Sequence, residues 1–243
     1  MECKSSLDRR MFLTGASASL AVAGLASVVK PAVSDARTLS VAAIGHTGRG
    51  NFGHGLDTVW LHNPDTTVVA AADPDAAGLA KELKKLKIDR GFADYRKMLA
   101  DVKPDIVAVC PRHADQHRDM VVACAEAGVK GVYIEKPFCR TPAESDQIKA
   151  ACDKHNVKLA VAHRNRYHPT LKVIDRLIGD GGIGRLLEIR GRGKGDRRGG
   201  AEDLWVLGTH VLNLMAYFGG DPTSCSGVML QDGRRITRHD VND

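Results

Sequence analysis

Lys136 stands in "VYIEKPFCRTPAE" (132–144), just past a β-rich run. A lysine at the carboxyl end of a parallel strand points into the crevice where ligands bind. There its ammonium can hydrogen-bond two ligand oxygens together. Partial burial lowers its pKa, so it can help move a proton. His210 closes "EDLWVLGTH" (202–210). An imidazole there is either a general acid–base group or a core histidine satisfied by the backbone. His113 and His117 give H-x-x-x-H, a zinc-like spacing, but no glutamate sits second and no third ligand is evident, so no metal site is expected.

A glycine-rich stretch, "GHTGRGNFGHG" (45–55), follows the first β-rich run. Gly48 to Gly53 spell G-x-G-x-x-G literally. Gly45 ends the strand, however, so Gly45, Gly48 and Gly50 are the better-placed phosphate loop. Between a strand and a helix, backbone N–H groups and the helix dipole favour a pyrophosphate. Asp73 ends the second strand, "TTVVAAAD" (66–73). A carboxylate there can accept from both adenosine ribose hydroxyls and repels a 2′-phosphate, which favours NAD over NADP. The bland reading of Asp73 is a helix cap before Pro74.

The elements that position these groups alternate. Apolar runs at 38–45, 66–73, 105–110, 130–135 and 157–163 read as strands. Helical stretches lie at 75–87, 114–128 (closed by Gly128) and 141–155. The last starts with Thr141 and Glu144 as a capping box and Pro142 in its first turn. Buried strands between helices imply an α/β fold, a parallel sheet covered on both faces.

The 243-residue chain is 43% hydrophobic and 26% charged, as in a folded domain, with net charge +6. Basic residues gather in "GRLLEIRGRGKGDRRGG" (184–200), which lacks aromatic interleaving and reads as a solvated loop, not a nucleic-acid surface. At the start, Arg9-Arg10 precede a weakly apolar run from Met11 to Val29, then Ala32, Ser34 and Ala36. This is the order of a twin-arginine signal peptide over 1–36, too short and too rich in Gly and Ser for a permanent span. Export of folded protein by the twin-arginine machinery to the periplasm suits a chain that loads a cofactor first. Past Cys3, the five cysteines at 110, 124, 139, 152 and 225 form no C-x-x-C and are expected as small buried hydrophobes.

"VYIEKPFC", the glycine loop, Asp73 and "CPRHADQH" (110–117) together resemble the Gfo/Idh/MocA family of oxidoreductases, over about 38–230. The resemblance implies a doubly wound Rossmann domain (37–163), then a second α/β domain (164–243) whose open sheet helps form the substrate site and a homo-oligomer. It places Pro111 and His117 near the nicotinamide, Glu135 and Lys136 facing cofactor and substrate, and Arg166 at the domain crossover. It also implies D-x-x-x-H on the substrate helix, with His210 relaying a proton. The acid's place is held by Val206 and the next acid's by Asn213; Asp203 is the candidate replacement. "DGRRITRHDVND" (232–243) stops inside the second domain, which is expected to be incomplete.

The resemblance implies an exported, NAD-dependent oxidoreductase passing hydride between nicotinamide and a sugar or polyol carbon, with Lys136 and His210 handling the proton. Two other readings stand beside it: a redox-neutral glycosidase or epimerase, and a nucleotide-binding relative without catalysis.

Overall fold

The computed structural model describes residues 38–193 and 203–237. The proposed leader, Arg9-Arg10 included, and the end of the basic stretch at 194–200 lie outside them. Six strands form one parallel sheet: β1 (Leu39–Ile44), β2 (Thr66–Ala72), β3 (Gly91–Phe92), β4 (Ile106–Val109), β5 (Gly131–Ile134) and β6 (Lys158–Val161), in the order β3-β2-β1-β4-β5-β6. The third is two residues long, too short for any periodicity to announce. Helices α1 (Ala76–Leu86), α2 (Tyr95–Val102), α3 (His117–Glu126) and α4 (Pro142–His155) make the crossovers. One apolar cluster joins Ile44, Val109 and Ile134 to α3 and α4; another joins Ala43, Ala71 and Ala108 to Phe52, Leu56 and Leu86. Both faces are therefore covered, and the central strands carry no polar alternation.

The caps set the helix starts. Asp75 accepts from the Gly78 N–H (2.6 Å) and Thr141 Oγ1 from the Glu144 N–H (3.2 Å). The capping box is offset by one residue: the Glu144 carboxylate takes the N–H of Arg140, at 2.8 Å, and pairs with its guanidinium. α1, α2 and α4 end on Lys87, Lys103 and Asn156 in the left-handed region.

Beyond β6 come a short 3₁₀ turn (Arg164–Tyr167), α5 (Leu171–Gly179), a π-helical turn (Asp203–Leu207) and α6 (Gly208–Gly219). An antiparallel hairpin follows, β7 (Met229–Gln231) and β8 (Arg234–Ile236), turning on Asp232-Gly233, both at positive φ. Cys110, Cys124 and Cys152 are buried as expected, whereas Cys139 is half-buried and Cys225 exposed. Among the described residues no helix is long and apolar enough to cross a membrane.

Candidate active site

β2 lies on one side of β1 and β4 on the other. The crossovers from this pair diverge, leaving a crevice at the strands' carboxyl ends. The chain leaving β1 folds down over it. His46 and Asn51 pair there as an antiparallel bridge, and Gly48, Gly50, Asn51, Gly53 and Gly55 all have positive φ. A helix needs φ near −63° throughout. None can open here, and the loop ends in a four-residue 3₁₀ turn, Val59–His62. The expected strand–glycine–helix order is thereby corrected: Gly45, Gly48 and Gly50 follow a strand, but no helix dipole stands behind them.

The glycines let backbone meet backbone. A Cβ on Gly50 would strike the Arg112 amide, and one on Gly53 would lie 2.5 Å from the Cys110 carbonyl. Gly45 is covered by the ring of Phe52, itself buried. The N–H groups of His46, Thr47, Gly48, Arg49 and Asn51 are already bonded inside the protein.

Asp73 is fully buried. Its carboxylate accepts from the Thr47 N–H (3.1 and 3.0 Å), the Thr47 hydroxyl (2.8 Å) and the Asp75 N–H (2.9 Å). A carboxylate offers about four lone-pair sites, and three donors, the Thr47 N–H being shared between both oxygens, occupy most of them. Asp73 thus clamps the glycine loop to β2, and a ribose hydroxyl that bonds it does so beside Thr47. Gly78 of α1 makes the clamp possible, since a Cβ there would collide with the Thr47 side chain. Beside Asp73 a cavity of about 220 Å³ is lined by His46, Tyr95, Gln116 and Met120.

His117 and Arg166 lie away from the crevice. The His117 ring is fully buried, with Nδ1 2.9 Å from the Phe138 carbonyl and Nε2 2.7 Å from the Pro111 carbonyl. It staples the loops after β4 and β5, and Pro111 contributes through that carbonyl. Arg166 is exposed and stacks on Tyr217 of α6 (5.1 Å to the ring centre), tying the crossover turn to that helix. Its neighbours Arg164 and Asn165 line the crevice instead.

Lys136 and His210 do meet. Both line a cavity of about 410 Å³ at the ends of β5 and β6, with Glu135, His54 and Arg164. Lys136 is 6% exposed, and its Nζ donates to the Val206 main-chain carbonyl at 3.1 Å. Glu135 is 2% exposed; Oε1 lies 3.4 Å from His54 Nδ1, and Oε2 is buried without a partner. Burial, then the charge of Lys136, then His163, Arg164 and His54, push the His210 pKa down to about 4. His210 is thus neutral near pH 7 and can accept a proton. The rings of His210 and His163 meet edge to face, 5.8 Å between centres. His54, His163 and Arg164 were not legible from motifs. The position of His163 and Arg164 just past a strand's carboxyl end, the rule that singles out Lys136, was the signal for them. Asp203 lies at the start of the π-helical turn.

A nicotinamide dinucleotide suits part of this surface. Glu135 Oε2 is a buried acceptor, and the next residue, Lys136, brings a donor to the same cavity. Arg49, which pairs with Asp115, and Arg112 line an adjoining crevice against the glycine loop. Among the described residues no group of three or more His, Cys, Asp or Glu could hold a metal ion.

The profile of an oxidoreductase family with an NAD-binding Rossmann fold matches residues 39–163, just over half of the chain. D-apiose dehydrogenase of Paraburkholderia graminis is 28% identical over 207 residues, 80% of this chain and 54% of that protein. Levoglucosan dehydrogenase of Pseudarthrobacter phenanthrenivorans is 29% identical over 184 residues, 68% and 45% respectively. The crystal structure of myo-inositol 2-dehydrogenase from Lactobacillus plantarum superposes with a TM-score of 0.64 at 20% identity, covering 75% of this chain and 56% of that one, a likeness of fold. The chain spans about half the length of the curated relatives it matches.

Proposed function

The chain belongs to the Gfo/Idh/MocA oxidoreductase family, and from that premise we propose a nicotinamide-dependent dehydrogenase acting on a hydroxyl-bearing carbon of a sugar or polyol. The observation that carries the reading is that Lys136 and a neutral His210 line one cavity over the sheet's carboxyl edge. The relatives named as apiose, levoglucosan and inositol dehydrogenases support the substrate class.

Bound here, the cofactor would supply the hydride acceptor. Glu135 and Lys136 would hold its ribose side, and Arg49 and Arg112 would face its phosphates. His210 accepts the hydroxyl proton, because a base with pKa near 4 is free of protons at pH 7. Lys136 donates to the same oxygen and stabilises charge that builds there. We also propose NAD over NADP, on Asp73, and export through Arg9-Arg10, on the leader's pattern.

A panel of sugars and polyols with NAD or NADP, followed by reduced-nicotinamide absorbance, tests the activity. Turnover of a sugar or polyol hydroxyl is expected. Turnover with no net change in nicotinamide would replace this reading with a redox-neutral one. Absence of both nucleotide binding and turnover would end it. Tighter NADP than NAD binding would remove the role given to Asp73. Unchanged processing after both arginines are replaced by lysine would remove the export proposal.

A further inference from the structure

The cavity that holds Lys136 and His210 carries an unbalanced charge. Lys136 reaches it from the end of β5, and Arg164 and Asn165 from the 3₁₀ turn after β6. Among the described residues that line it, Glu135 is the only acid. With its histidines counted neutral, two cations face one anion. Arg49, Arg118, Arg140 and Arg190 each pair with a carboxylate, those of Asp115, Asp119, Glu144 and Glu188. Among the described residues Arg164 pairs with none. Two positions on, Arg166 stacks on Tyr217, outside the cavity. Arg164 lines the cavity instead, and its charge is felt at His210, whose pKa it helps to lower. Leu56, Tyr133 and Leu207 add apolar surface for the C–H face of a ring.

Resting on the dehydrogenase reading, we infer that the sugar taken by this cavity carries a carboxylate, as in an aldonate or a uronate, and that Arg164 grips it while Lys136 and His210 work on a hydroxyl. A guanidinium meets a carboxylate in a planar fork of two N–H···O bonds. The Asn165 amide brings a further donor to the same rim. One carboxylate brings the lining to neutrality. A phosphate, with about 1.5 to 2 charges at pH 7, overshoots it. A neutral sugar leaves the excess cation in place, and that cation becomes costlier as a ligand expels water from the cavity. The carboxylate is a handle only: hydride leaves another carbon, and the carboxylate itself is unchanged.

Matched sets of sugars test this on the full chain with NAD: the gluco, galacto and manno uronates and aldonates, each beside its neutral sugar and its 6-phosphate. Binding is followed by calorimetry and hydride transfer by reduced-nicotinamide absorbance. In the set that is used, an acid should exceed its neutral sugar by about 10–100-fold in kcat/KM, the scale of a charge-assisted pair. Arg164→Gln should remove that preference, chiefly through KM. Arg164→Lys keeps the charge without the fork and should return only part of it. Arg176→Gln takes the same charge from the exposed side of α5 and should leave the preference as it was. A neutral sugar used as well as its acid would overturn the carboxylate and leave the dehydrogenase reading standing. So would a preference for the 6-phosphate, or an acid preference indifferent to Arg164→Gln. Acids that bind through Arg164 with no hydride transfer would remove the dehydrogenase reading and leave the role of Arg164 in place. No binding of any acid would overturn that role. Should the Arg164 variants not fold, the ranking of acid, neutral sugar and phosphate in the unaltered chain decides alone.

Discussion

Lys136 reaches across the crevice to Val206, its Nζ donating to the Val206 carbonyl at 3.1 Å. Val206 lies in a π-helical turn, and such wide turns often mark functional sites. The Thr209 hydroxyl donates to the same carbonyl at 3.3 Å. Where the family resemblance places a carboxylate, this chain offers a main-chain oxygen, and that oxygen fixes the lysine and not the histidine.

Replacing Lys136 with methionine keeps the stem and removes the ammonium. Val206 keeps Thr209 as a donor, and a buried charge disappears, so the two effects on stability oppose each other and the net change should stay within about 1 kcal/mol. Hydride transfer should fall by about 10²–10⁴-fold. Single-turnover rates beside a thermal melt separate the two. An unchanged rate would take Lys136 out of the chemistry.

The low pKa of His210 sets two pH windows. In the unfolded chain a histidine titrates near 6.5; in the fold His210 titrates at about 4. The fold thus binds fewer protons between those values, so the stability tied to the neutral ring is complete above pH 6.5 and lost as pH falls toward 4. His210→Phe should flatten the stability curve in that interval. The acid limb of the rate profile should fall near pH 4, not near 6.5. A limb at 6.5 would mean the ring is not held neutral as described.

The sheet was legible because its strands are apolar on both faces and its helices begin with side-chain caps at Asp75 and Thr141. Lys136 was legible because a strand's end predicts where a side chain points. His210 gained meaning only from the family resemblance, since one histidine after an apolar run has two readings. The helix expected after the glycine loop was not legible: spacing at Gly45, Gly48 and Gly50 is shared by phosphate loops and by tight turns, and the five positive-φ residues that forbid a helix are a property of conformation. The partners of His117 and Arg166 were hidden for a different reason. Their neighbours in space, the carbonyls of Pro111 and Phe138 and the ring of Tyr217, are set by tertiary packing that no local window contains.

Gly48 and Gly50 make a contrast that sequence alone would not draw. Both have positive φ, 84° and 97°. A Cβ on Gly48 meets nothing within 4 Å, whereas one on Gly50 meets the Arg112 backbone. Gly48→Ala should cost about 1–2 kcal/mol, the conformational term alone. Gly50→Ala should cost at least about 1 kcal/mol more, since the loop must lift off the chain leaving β4. Denaturant unfolding of the two variants measures the gap. Equal losses would show that the loop does not press on Arg112.

The loop's far end is tied to α1 by charge. Asp57, 1% exposed, pairs with Lys85, which also meets Glu82 at 3.2 Å. Glu82 is buried, and its pKa is pushed up to about 7 by burial first and by Asp57 second, with Lys85 acting in the opposite direction. The fold therefore holds a proton on this carboxyl that the unfolded chain releases near pH 4.5. The stability it contributes is complete below 4.5 and lost as pH rises through about 7. Glu82→Gln keeps a hydrogen-bonding side chain of the same shape and never has to ionise beside Asp57. At pH 5 the variant should match the unaltered chain; by pH 8 it should be the more stable of the two, by on the order of 2 kcal/mol. Urea unfolding at both pH values reads the difference. A variant less stable at pH 8 would mean that the pairing of ionised Glu82 with Lys85 outweighs its burial and its repulsion from Asp57.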